Sequence, residues 1–125
     1  MNKKLASKSI SKIVEVFAEH NGNYIGRIEN ILSGACNVAV VKILACIKYP
    51  EQRAIFYTFN NFERWPYHYG STEKFFIKRI KLFNGAIPEY YDIMPHVLKE
   101  TFMIETEADR TIYERHLKHW ASNRG

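Results

Sequence analysis

Cysteine is scarce in this chain. Only Cys36 and Cys46 occur, without the short spacing of a metal or redox pair. Both sit in or beside apolar sequence and read as buried thiols of a reducing compartment rather than as a disulfide. Glycine and proline are also few, 6 and 4 residues, against 46% apolar residues, which argues against a disordered chain. No apolar run approaches the roughly 18 residues of a membrane span. The basic start Met1-Asn2-Lys3-Lys4 has no apolar stretch behind it of the kind a secretory signal needs. The expectation is an intracellular protein with no membrane partner. No P-loop, nucleophile elbow, H-E-x-x-H or G-x-G-x-x-G occurs, and neither the carboxylates nor the five histidines fall into a catalytic setting. The sequence thus predicts no enzyme, no catalytic residue, no cofactor and no metal. His116 and His119, spaced i,i+3, lack a third ligand.

What is present suffices for one core. The 125 residues are expected to divide into a basic N-terminal tail over 1–11 and a single domain over 12–125. A net charge of +5 and a pI near 9.2 permit attraction to DNA or another acidic surface. Candidates for that contact are Lys3, Lys4, Lys8 and Lys12 in the tail, and Lys74, Lys78, Arg79 and Lys81 further on.

The segment 24–31, Y-I-G-R-I-E-N-I, alternates Tyr24, Gly26, Ile28 and Asn30 with Ile25, Arg27, Glu29 and Ile31. It reads as a strand, with Gly26 permitting another backbone to come close. Ser33-Gly34 supplies a turn, and the Val- and Ile-rich run 38–49, stopped by Pro50, supplies a buried partner strand. Residues 12–19 fit helical spacing, yet their β-branched centre and the following His20-Asn21-Gly22-Asn23 turn fit a strand. A further strand is expected over 54–59. Residues 60–71 combine turn formers with Phe62, Trp65, Tyr67, His68 and Tyr69 and read as an aromatic-rich loop. Over 73–83 the apolar residues fit a helix or a strand. Pro88 and Pro95 argue against a continuous helix between them. Thr106-Glu107-Ala108-Asp109 is a capping box that opens a C-terminal helix, with Ile112, His116, Leu117 and Trp120 on its apolar face.

The order I-V-E-V-F-A-E-H-N-G-N-Y-I-G-R-I-E-N-I followed by a β-rich run ending K-Y-P-E-Q resembles the opening of a bromo-adjacent homology (BAH) domain, a chromatin-binding module. The likeness covers about residues 13–51. It implies a mainly β fold, a distorted β-barrel with a C-terminal helix, whose last strand would lie near 99–105. It also implies a nuclear location and, as partners, nucleosomes or histone tails and chromatin proteins. Some members of that family hold methyl-lysine in an aromatic cage. By position such a cage would take Tyr24, but Cys46 and Lys48 stand where two further rings belong, so the usual cage is incomplete. Tyr49, Trp65, Tyr67 and Tyr69 are the aromatics left to contact a partner. Two other readings are a winged-helix nucleic-acid binder, with helices over 8–20, 24–33 and 36–48, and a protein-binding adaptor using the aromatic loop.

Overall fold

The computed structural model describes residues 1–32, 37–52 and 63–122. The Ser33-Gly34 turn, Cys36, Phe62 and the strand expected over 54–59 lie outside them. The described elements are α1 (Lys3–Ser7), β1 (Ile13–Phe17), β2 (Asn23–Leu32), β3 (Val38–Lys48), β4 (Thr72–Phe76), β5 (Ile80–Leu82), α2 (Tyr90–Thr101) and α3 (Glu107–Ser122). All strand pairs are antiparallel, in the order β4-β3-β2-β1-β5. The mainly β fold with a C-terminal helix is thus what the sequence builds, and among the described residues the sheet is open rather than closed into a barrel.

Alternation sets the faces. In β1 Val14 and Val16 are buried, and in β3 Ala39, Val41, Ile43 and Ala45 are buried, so one side of each strand faces the core. Each fully buried Val or Ile contributes about 1.5–3 kcal/mol. Gly26, facing Ile43 across the ladder, is dictated by space: a Cβ there would lie 2.6 Å from the Lys42 carbonyl oxygen. Gly22 is dictated by conformation, with φ +93° and the Lys48 carbonyl 2.5 Å from where a Cβ would stand.

The sheet is rolled by its connectivity. β4 and β5 lie at opposite edges, four strand spacings or about 19 Å apart if the sheet were flat. Only the 3-10 turn Ile77–Arg79 joins them, and four residues span at most about 14 Å. The edges must therefore curl toward each other. Ile77 and Ile80, buried on the inside of this turn, hold it to the core, while Lys78 is left in solvent.

The winged-helix reading fails here, since 24–32 and 38–48 are strands. The strand expected over 99–105 fails as well: α2 runs to Thr101 and residues 102–105 are irregular. Pro88 stands outside the helix, before the cap at Glu89, whose side chain accepts from Asp92 N–H at 2.7 Å. Pro95 lies inside it, where its cost of about 3 kcal/mol is offset by burial of Tyr90, Met94, Val97 and Leu98. Within 1–11, the stretch expected as a basic tail, Lys3–Ser7 form α1. Ala6 and Ser9 are buried, and the Met1 ammonium donates to Ile80 O at 3.1 Å. The capping box of α3 forms as expected: Asp109 N–H donates to Thr106 Oγ1 at 3.1 Å and Thr106 N–H to Asp109 Oδ2 at 3.0 Å. Ile112, His116 and Trp120 face inward.

Candidate functional site

Two places concentrate chemistry. The first is a groove of about 460 Å³ between the end of β1, with the turn after it, and the β4 edge. Lys74 and Phe76 point outward from β4 because Phe75, between them, points into the core. The groove has an apolar floor of Phe17, Ala18, Val38, Tyr67, Phe75 and Phe76, and a rim of Lys74, Lys78, Arg79 and Glu19. Phe76 is 54% exposed, with Lys78 Nζ 5.9 Å from its ring centroid. Lys81 lies directly opposite Glu15 in the ladder, 3.0 Å from its carboxylate, and 5.1 Å from the Phe17 ring. Arg79 pairs with Glu19, a residue in the left-handed region with φ +52°, uncommon for a non-glycine. A second hollow of about 420 Å³ shares Phe17, Glu19 and Arg79, so this ion pair is the partition between the two.

The second place is buried beneath Trp65. Trp120 Nε1–H, which can only donate, gives its proton to Tyr49 Oη at 2.9 Å. The Tyr49 hydroxyl hydrogen is then free to donate to His116 Nδ1. That assignment leaves the imidazole proton on Nε2, 3.1 Å from Glu63 Oε1 but off the line of a hydrogen bond. Glu63 Oε1 accepts instead from Arg115 Nη1 at 2.6 Å. Burial holds His116 below its ordinary pKa against the opposing pull of Glu63, and raises Tyr49 well above the phenolic range. His116 is fully buried, with Trp65 stacked on it and the Phe102 ring beside it. Tyr49 N–H also donates to Thr101 Oγ1 at 2.8 Å, so this array joins the end of β3 to both C-terminal helices.

The seven aromatic and neighbouring candidates do not converge. Tyr24 is buried, its hydroxyl donating to Asn21 O at 2.5 Å and accepting from Tyr67 N–H at 3.2 Å, so its face is not offered to a cation. Cys46 lies opposite it in the ladder, its thiol pushed up to about 12 by burial. Tyr67 packs on Tyr24, ring centroids 5.0 Å apart. Tyr49 and Trp65 belong to the His116 array. Lys48 is exposed, and Tyr69, 53% exposed, stands near Tyr90 and Tyr91. Lys3, Lys4, Lys8 and Lys12 are exposed on α1 and the segment after it. Lys74, Lys78, Arg79 and Lys81 are the candidates that the fold does gather, around Phe17 and Phe76. Phe17 and Glu19 were not singled out from the sequence. Their one signal is position, directly before the His20-Asn21-Gly22-Asn23 turn.

No protein-family model and no curated protein matches the chain. Among solved structures it is similar to kinase-associated protein B from Bacillus cereus, with a TM-score of 0.60 and 27% identity, over 90% of each chain. This likeness to a bacterial protein overturns the bromo-adjacent homology resemblance, and with it the nucleosome- and histone-binding function and the nuclear location. The residues that carried the resemblance are explained by the sheet. Y-I-G-R-I-E-N-I is an inner strand of the sheet, with Tyr24, Ile25, Gly26 and Ile28 buried and register shifts along its pairing with β3, and Gly26 answers to the approach of Lys42. Neither is peculiar to a chromatin module.

Proposed function

We propose that this chain is a non-catalytic protein-binding module of bacterial type, acting in the cytoplasm, and that its partner is a protein kinase. The observation that carries the reading is the likeness, over 90% of both chains, to a protein described as kinase-associated. The surface supports it. Phe76, Trp65 and Tyr69 are each more than 40% exposed, and exposed aromatic rings are the side chains from which interface anchors are drawn. The strongest acid-base array, Tyr49–His116–Glu63, lies under Trp65 and ties helices to the sheet, a task of packing.

The test is capture by the tagged chain from extract of its native cells, followed by labelled ATP and identification of phosphorylated proteins. A protein kinase enriched over a tag-only control is expected. Absence of any enriched kinase overturns the reading.

A further inference from the structure

We infer that the groove between Phe17 and Phe76 is a docking site for an acidic, extended peptide segment with an aromatic anchor, contributed by the partner protein. The inference rests on the protein-binding reading above and names the part of the partner that this surface takes.

Charge defines the occupant. Neither Lys74 nor Lys78 forms an ion pair among the described residues, so both ammonium groups stand at the rim uncompensated. Arg79 already shows the chemistry, since it holds the Glu19 carboxylate. A partner's carboxylate arriving at the partition would compete with Glu19 for that guanidinium. With Lys81 and Arg79 engaged by Glu15 and Glu19, the positive charge left over suits a carboxylate or two. It is too small and too local for the phosphate track of a nucleic acid, whose affinity scales with the number of phosphates neutralised.

The floor defines the rest. A ring half in solvent, as Phe76 is, gains by being covered, and covering it beside Lys78 also shields an ion pair formed there from water. The backbone at this rim suits an extended chain. Ser71 O and Ile77 N–H both bond toward β3 and the residue preceding it. By the alternation of an antiparallel ladder, the amide groups of Thr72, Lys74 and Phe76 then point off the outer edge, which carries no strand among the described residues. Main-chain pairing along such an edge is a recurrent mode of peptide capture.

The probe is a capped peptide with a central Phe flanked on each side by an Asp-Glu pair, titrated into the labelled full chain and followed by amide chemical shifts. Saturable shifts confined to Phe17, Glu19, Lys74, Phe76 and Lys78 are expected. Joint reversal, Lys74→Glu with Lys78→Glu, is expected to weaken binding on the order of tenfold. Glu19→Gln, by releasing Arg79, is expected to tighten it severalfold, a gain that damage to the fold cannot mimic. Equal binding of the Asn-Gln version of the peptide overturns the inference. So does a short thymidine strand that fills the groove more tightly, and so does an absence of saturable shifts there. Kinase capture that survives the double reversal also overturns it while leaving the kinase reading intact. Peptide binding at the groove with no kinase captured upholds the groove and overturns the kinase.

Discussion

Trp65 lies flat on His116, ring centroids 3.6 Å apart and planes 6° from parallel. The stack is the lid of the array that joins β3 to α3, and its lower ring is neutral at pH 7 because burial disfavours the charged form.

This gives a pH dependence with a definite sign. The folded pKa of His116 is depressed below its ordinary 6.5, so below that value the unfolded chain binds the proton that the folded chain refuses. Stability is fully present above about pH 6.5 and is lost as the pH falls toward the folded pKa. Glu63 and Arg115 face the imidazole with opposite charges, and His119 stands near it. Imidazole resonances followed from about pH 7.5 to 5 should show His116 titrating below the range of an exposed histidine. A His116 midpoint at or above 6.5 would contradict the assignment.

Tyr49→Phe removes one oxygen and strands two buried groups, Trp120 Nε1–H and His116 Nδ1. Each unsatisfied group costs about 1–3 kcal/mol, so urea unfolding should show a loss of at least about 2 kcal/mol. Trp65 and Trp120 border the site and should report it by altered fluorescence. A loss under about 0.5 kcal/mol would mean that water has replaced the hydroxyl.

Gly26→Ala places a methyl against the Lys42 carbonyl and the Val41 side chain. Separating β2 from β3 is the remaining way to fit it, and overpacking of this kind costs about 1–3 kcal/mol. Thermal melts should register this substitution as more damaging than Gly85→Ala, where the added methyl meets the Phe83 ring rather than backbone. Equal melting temperatures for the two variants would refute it.

Thr106→Ala breaks one half of the capping box and leaves the Asp109 side chain still accepting from Glu105 and Thr106 N–H groups. The expected cost is about 1 kcal/mol, with amide exchange accelerated in the first turn of α3 and unchanged in β3. Faster exchange throughout the sheet would show that α3 is no separate cooperative unit.

Local patterns were legible in the sequence and long-range geometry was not. Strands over 24–31 and 38–49 could be read because alternation and a terminal proline are properties of neighbours, and so could the Thr106–Asp109 cap. α2 was hidden by Pro95, whose local penalty is outweighed only by burial against β3, which no window of sequence displays. The groove was half visible. Lys74, Lys78, Arg79 and Lys81 were evident as charges, but their meeting with Phe17 depends on the three-residue turn that brings one sheet edge round to the other. Tyr24 and Trp65 looked alike as exposed-ring candidates, yet one is sealed in the core and the other roofs it.

The order β4-β3-β2-β1-β5 also carries a history of synthesis. As the chain leaves the ribosome, β1, β2 and β3 can pair as consecutive hairpins, but the outer edge of β1 has no mate until Ile80–Leu82 emerges. Until then β1 is a bare, Val-rich margin of the kind that invites another nascent chain. Glu15 sits at the middle of that margin, and its charge discourages a stranger's strand until Lys81 arrives to neutralise it.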